Sequence, residues 1–240
     1  MGRHGTIAGR KAAQDSKRAA LFTKYTRAIM MAAKTGGDPE YNASLKNAIE
    51  KAKAINLPND KITRAIKKGT GELEGESYEN ITFEGYGPGG VAVVVDVLTD
   101  NKNRTTSAVK HAFDKNGGNL GVPGCVSYMF ERKGVILVEK EGGVDEDSLM
   151  EAALDAGAED MISEEDLFEI RTTSEDFHAV ADALRSAGYT LAEADIEQVP
   201  NIESEPKSES EKNALLRLID TLEENDDVQK VYTNCSVDLA

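Results

Sequence analysis

The chain has 240 residues, 43 of them Asp or Glu and 28 Lys or Arg, with 2 cysteines and no tryptophan. Cys125 and Cys235 are far apart, with no CxxC spacing and no adjacent pair of histidines, which argues against a disulfide framework and a zinc site. No apolar run approaches the roughly 18 residues of a membrane span, and the polar N-terminus lacks an apolar signal core, so a cytoplasmic protein of two or three small domains is expected.

The charge is unevenly divided. Residues 1 to 69 carry 15 Lys+Arg against 5 Asp+Glu (+10), while the other 171 residues carry 13 against 38 (−25). A basic head on an acidic body suits a polyanion held at one end and repelled elsewhere.

In the head, Leu21, Tyr25, Ala28, Ile29 and Ala32 recur at helical spacing between Ala12 and Lys34, with Lys17, Lys24, Arg27 and Lys34 on the opposite arc. A second helix is expected from Asp38-Pro39 to about Leu57, with Asp38 as cap and Pro39 in the first turn. A third follows Pro58 and ends near Gly69, with Ile62, Ala65 and Ile66 inward and Lys61, Arg64, Lys67 and Lys68 outward. Arg10 and Lys11 precede the first helix. Together Arg10, Lys11, Lys17, Lys24, Arg27, Lys34, Lys61, Arg64, Lys67 and Lys68 form the candidate nucleic-acid site. Any one of these cations could serve solubility alone, but solvated faces mix both signs and here acids are nearly absent.

The body begins with two strands, Ile81 to Glu84 and Val91 to Val97, joined by Gly85-Tyr86-Gly87-Pro88-Gly89-Gly90. That loop spells GxGxxG, but a strand follows it rather than a helix, so a dinucleotide site is rejected. The turn Asp100, Asn101, Lys102, Asn103 and Arg104 precedes a helix (Thr105 to Lys115) and forms a secondary candidate, since a helix start offers N–H groups to an anion; ordinary turn chemistry explains its Asp and Asn equally well. A strand is expected over Val126 to Glu131.

The next segment reads strand Val135–Glu139, helix Ser148–Ala156, strands Met161-Ile162 and Leu167–Thr172, helix Ser174–Ala187 capped by Thr173 or Ser174, and strand Leu191–Val199, the split βαβ plan. Pro200 to Glu211 reads as an exposed linker. A final helix (Leu215, Leu218, Ile219, Leu222) and strand (Val228–Thr233) are too little to fold alone and are expected to complete the unit of residues 78 to 131. The expected domains are thus 1–77; 78–131 with 206–240; and 132–205 inserted, in an α+β chain with a helical head and two ferredoxin-like units.

Catalytic chemistry is unsupported. His4, His111 and His178 share no ligand spacing, no nucleophile elbow or P-loop occurs, and the acidic runs Asp145–Asp147 and Glu164–Asp166 are explained by a helix start and a turn. No catalytic residue, metal or cofactor is expected, and no membrane or small-molecule substrate.

Several blocks resemble the YebC/PmpR family, whose relatives include the mitochondrial translational activator of cytochrome oxidase. They are Arg10-Lys11-Ala12-Ala13-Gln14-Asp15, Phe22-Thr23-Lys24, Ala65-Ile66-Lys67-Lys68-Gly69, Glu84 through Val91, Thr99 through Thr105, and Gly117-Gly118-Asn119-Leu120-Gly121. The resemblance covers nearly the whole chain. It implies three domains, no enzyme activity, a cytoplasmic location, and regulation of gene expression either as a DNA-binding transcriptional regulator or as a translation factor on ribosomal RNA. An adaptor that binds proteins through the acidic body is the remaining reading. The chain departs from the family at His4-Gly5-Thr6-Ile7-Ala8-Gly9, where the family's Trp-containing basic run is missing, and at Cys125, where Ser is common.

Overall fold

The computed structural model describes residues 7–75, 77–140 and 143–237, with side chains of the first helix described from Arg18 onward. Helix α1 (Ile7–Ala33) is followed by α2 (Ala43–Ala54) and α3 (Asn59–Gly69). The start of α2 differs from the sequence expectation, because Asn42 is a better cap than Asp38. Its Oδ1 accepts from the Leu45 N–H at 3.0 Å while its Nδ2 donates to the Ala32 and Gly36 carbonyls at 2.8 and 2.7 Å, tying the end of α1 to the start of α2. Residues 38–41 form a turn instead. At the other end Asn56 adopts φ 60°, which stops α2 short of Leu57.

The head's core is Ile29, Met30, Ala33, Leu45, Ala52, Leu57, Ile62 and Ala65, completed by Tyr78 and Leu98 from the body. Leu21, expected to face inward, is exposed. Helix α3 approaches α1 so closely at Gly69 that a Cβ there would collide with the Met30 carbonyl oxygen. The two helices run in the same direction, with Lys61 beside Phe22 and Gly69 beside Met30.

Strands β1 (Glu79–Tyr86) and β2 (Ala92–Thr99) pair antiparallel from Glu79↔Thr99 to Tyr86↔Ala92. Their connection is a 3₁₀ turn over Pro88–Gly90 in which Gly89 and Gly90 take φ of 75° and 78°, so the glycines serve a hairpin. After α4 (Lys102–Lys115) comes the short β3 (Asn119–Leu120).

The chain then builds a second sheet: β4 (Phe130–Glu139), α5 (Glu146–Asp155), β5 (Asp160–Ser163), β6 (Leu167–Thr173), α6 (Phe177–Ser186) and β7 (Glu193–Pro200). It returns through α7 (Glu209–Glu223) and β8 (Val228–Thr233). The strand orders are β3-β1-β2-β8 and β5-β6-β4-β7, so β8 joins β2 across the inserted second sheet. The second sheet is the split βαβ arrangement, antiparallel throughout.

Val91, just before β2, and Val93, Val95 and Val97 within it pack under α4 and α7, while Ala92 and Val94 meet Val126 and Phe130 on the other face. Burial on both faces accounts for its continuous apolar run.

Other elements also begin or end away from where the sequence places them. Val126–Glu131 is not one strand: the buried Glu84 carboxylate accepts the N–H groups of Gly124, Val126 and Ser127 at 2.8–2.9 Å, turning that segment into a 3₁₀ turn over Ser127–Met129. Phe130 and Glu131 instead open β4, which runs unbroken through Val135, so the expected division after residue 131 falls inside a strand. Helix α6 begins at Phe177 rather than Ser174, because the Thr173 hydroxyl accepts from the Asp176 N–H at 3.0 Å and holds the intervening residues in a turn. Likewise Ser208 caps α7, and Ser204 forms a bridge with Cys235, so residues 200–211 are pinned at several points.

Candidate nucleic-acid interface

Helix α1 is covered on two sides, by α2 and α3 and by the body, and this redirects three of the four cations of its expected basic arc inward. Arg27 reaches the body and donates to Asp227 Oδ1 and to the Asp226 carbonyl, both at 2.9 Å, with its guanidinium 5.2 Å from the Tyr78 ring centre. The other oxygen of Asp227 takes hydrogen bonds from Arg104 Nη2 and Thr105 Oγ1, each at 2.7 Å, and from Thr99 Oγ1 at 3.3 Å. The Asp227 side chain is only 5 % exposed. Burial pushes its carboxyl upward, but the bonds from Arg104 and Thr105 and the charges of Arg104 and Arg27 outweigh this and hold it below the ordinary carboxylate range.

Lys34 donates to the Tyr78 carbonyl at 3.0 Å. Lys24 turns into a cavity between head and body, where burial lowers its ammonium pKa. Lys24, Arg27 and Lys34 therefore face the body rather than a free outer arc.

The head docks on the second sheet's unit through two pairs of the same sense, Lys51 with Asp195 and Lys46 with Asp182 at 3.0 Å, and one of reversed sense, Glu50 with Arg185 at 2.9 Å. Lys230 of β8 joins Asp195 at 2.7 Å and Glu197 at 2.6 Å. Part of the charge division is thus internal, with head cations matched to body carboxylates. Asp227, Asp195 and Asp182 were invisible as partners in the sequence, because each sits in an ordinary turn, strand or helix and only the tertiary fold brings a cation to it.

The cations left outward lie on α3. Lys61, Arg64 and Lys67 are exposed and Lys68 half-buried, and among the described residues none of the four has a carboxylate partner. Residues 61, 64 and 68 repeat at i, i+3 and i+7 on one helix face, flanking the buried side that carries Ile62 and Ala65. Arg18 of α1 extends this edge: its guanidinium and the Lys61 ammonium lie 5.2 and 5.3 Å from the centre of the Phe22 ring. Arg18 is absent from the sequence-based set, and only its contact with Phe22 in the folded chain places it on this edge. Arg10, Lys11 and Lys17 lie on the N-terminal part of α1, and their side chains fall outside the described residues.

The secondary candidate is built as a helix start. Asn101 Oδ1 accepts from the Arg104 N–H at 3.1 Å, and Arg104 bridges Asp100 and Asp227 at 2.8 and 2.7 Å. Turn chemistry uses Asp100, Asn101 and Arg104, leaving Lys102 and Asn103 exposed. Asp145 similarly caps α5, accepting from the Ser148 N–H at 2.9 Å.

Residues 3–72 match the TACO1/YebC protein N-terminal domain, and residues 78–235 match the TACO1/YebC second and third domain. A probable transcriptional regulatory protein of Clostridioides difficile (strain 630) is 58% identical over 239 residues, spanning 99% of this chain and 100% of its own. One from Geobacillus sp. (strain WCH70) is 54% identical over 230 residues, covering 95% of this chain and 93% of its own. The crystal structure of a conserved hypothetical protein from Aquifex aeolicus superposes with a TM-score of 0.84 at 46% identity, covering 92% of this chain and 91% of that one. With matches that run through the head and both sheets, this chain belongs to the TACO1/YebC family.

Proposed function

We propose that the protein is a non-enzymatic, cytoplasmic regulator of gene expression that holds nucleic acid by its phosphate backbone along the outer edge of α3. The reading rests chiefly on one observation: among the described residues Lys61, Arg64, Lys67 and Lys68 have no carboxylate partner and lie together on α3, while Arg27, Lys46 and Lys51 are matched to body carboxylates. Arg18, and on sequence Arg10, Lys11 and Lys17, lengthen the same track. The names of the relatives favour transcription as the process and DNA as the polymer.

Such contacts position a polymer without reading bases, so the affinity falls steeply with salt. Titrating the full chain with duplex DNA, single-stranded RNA and ribosomes at rising salt tests this. Duplex binding with a log–log slope of about −4, for roughly five neutralised phosphates, supports the DNA reading. Binding confined to RNA or ribosomes replaces it with the translation factor, and binding to none of the three removes the nucleic-acid reading.

A further inference from the structure

Residues 132–205 hold 21 Asp and Glu against 5 Lys and Arg (−16), so the inserted unit carries most of the body's negative charge. It is itself a polyanion, and it lies against the basic head. The two are joined differently from head and first sheet, where Tyr78 and Leu98 complete the head's apolar core and Arg27 reaches the buried Asp227. The inserted unit closes its own core over Ile136, Leu149, Ile170, Phe177 and Leu184, and among the described residues no apolar cluster runs from it into the head. Ion pairs hold the contact instead. The Lys46 and Asp182 side chains are 43 % and 50 % exposed, those of Glu50 and Arg185 only slightly less, and Lys51 with Asp195 is half-buried at the wall of a cavity of about 680 Å³ between the head and both sheets. Exposed pairs are individually weak and screened by salt, and an interface without an apolar core permits relative motion of the units it joins.

The covalent connections of the inserted unit lie together at one end. The chain enters at Phe130 and leaves at Pro200, residues that pair across β4 and β7, and next to them the Asn201 N–H donates to the Met129 carbonyl at 2.9 Å. Just beyond, Ser204 is fixed to the first sheet's unit by its bridge to Cys235. The unit is thus carried on a paired two-strand stalk. On the head side, Lys46, Glu50 and Lys53 repeat at i, i+4 and i+7 along one face of α2. Asp182 and Arg185 of α6 take the first two, while Lys53 is exposed and has no carboxylate partner among the described residues. The contact therefore covers part of a cationic helix face with carboxylates and leaves its end open.

We propose that the inserted unit is an autoinhibitory arm: Asp182 and Asp195 occupy Lys46 and Lys51, and a phosphate-backbone polymer that takes those two cations displaces the unit, which pivots on its stalk. The proposal rests on the nucleic-acid reading and deepens it by adding α2 to the surface that a polymer contacts. A closed arm lowers the apparent affinity by the fraction of molecules that are open, so release from about nine-tenths closed is a gain of about tenfold.

Small-angle scattering of the full chain without polymer reads the arm, and titration with duplex DNA, single-stranded RNA and inorganic polyphosphate at one low salt concentration reads the binding. Wild type is compared with Asp182→Asn plus Asp195→Asn, and with Glu164→Gln plus Glu165→Gln, which removes the same charge from an exposed turn of the same unit. The radius of gyration is expected to rise with added salt in wild type and already at low salt in the Asp182/Asp195 variant, but not in the Glu164/Glu165 control. The Asp182/Asp195 variant should bind polymer about tenfold more tightly than the control, and adding Lys46→Gln and Lys51→Gln should cancel that gain. Asp182→Asn alone, at the more exposed pair, moves both readings the same way and serves if the double variant fails to fold. A radius of gyration that neither salt nor the substitutions change, an affinity equal to the control's, or a gain that survives the loss of Lys46 and Lys51 overturns the arm and leaves the α3 reading in place. Absence of binding to all three polymers, by wild type and the opened variant alike, removes both.

Discussion

Asp227 is the residue on which head and body converge, with Arg27 from α1 on one oxygen and Arg104, Thr105 and Thr99 on the other. Removing its charge leaves two guanidinium groups facing each other. Asp227→Asn is therefore expected to cost about 3 kcal/mol or more, the cost of breaking a buried pair from one side, readable by urea denaturation. The pH dependence follows in sign. A carboxyl held below its unfolded value near 4 contributes stability that is fully present above that pH and lost as pH falls through the lowered folded value. Wild type should thus lose stability below about pH 4, and Asp227→Asn should show a flatter acid limb. Equal acid limbs in the two proteins would remove Asp227 from the account.

The residue scale also shows where sequence reading stops. Helical period identified Lys24, Arg27 and Lys34 as one polar arc, and that arc exists. Period does not say that the body covers it, because Asp227 and the Tyr78 carbonyl become neighbours only through the tertiary fold.

At the scale of elements, the contact of α1 with α3 turns on Gly69. In an ordinary helix Gly→Ala is stabilising by up to about 1 kcal/mol, since alanine loses less backbone entropy. Here the added methyl would collide with the Met30 carbonyl and come within 2.7 Å of the Ala33 Cβ, so Gly69→Ala is expected to destabilise by about 1–3 kcal/mol. A thermal midpoint equal to or above that of wild type would show that α3 is free to shift away.

Most elements were legible because each carries its own period or punctuation: the valine run of β2, the Pro58 start and Gly69 end of α3, the strand and helix alternation of the second sheet. The misplaced ones were set by distant groups. Glu84, some 40 positions upstream in sequence, accepts the N–H groups that make Ser127–Met129 a turn, and Asn42 outcompetes the local Asp38-Pro39 signal because it also satisfies the end of α1.

For the whole molecule we propose three units, residues 1–77, 78–131 with 206–240, and 132–205, with β4 running through the junction of the last two. The return of α7 and β8 to the first sheet makes a cut in residues 205–208 harmless to assembly. Leu215, Leu218 and Leu222 are buried under that sheet and β8 is hydrogen-bonded to β2, so limited proteolysis there should leave two fragments that co-elute without denaturant. Free dissociation of the C-terminal piece would contradict the division. The head, by contrast, is not self-sufficient, since Tyr78 and Leu98 complete its core and ion pairs to Asp227, Asp195 and Asp182 hold it. The separation of basic head from acidic body, plain in the sequence, is thus partly internal: inward cations dock the head, and the outward ones form the surface we propose for a polyanion.

The outward set is tested most directly by comparing full-length wild type with Lys61→Gln, Arg64→Gln, Lys67→Gln and Lys68→Gln combined, measuring nucleic-acid affinity across a salt series. Because these side chains make no ion pairs among the described residues, the expected result is an unchanged thermal midpoint, a loss of affinity that is equal for all sequences, and a salt slope flattened by roughly one unit per lost phosphate contact. A folded variant with wild-type affinity and slope would show that the edge of α3 is a solvated face and would contradict the central claim.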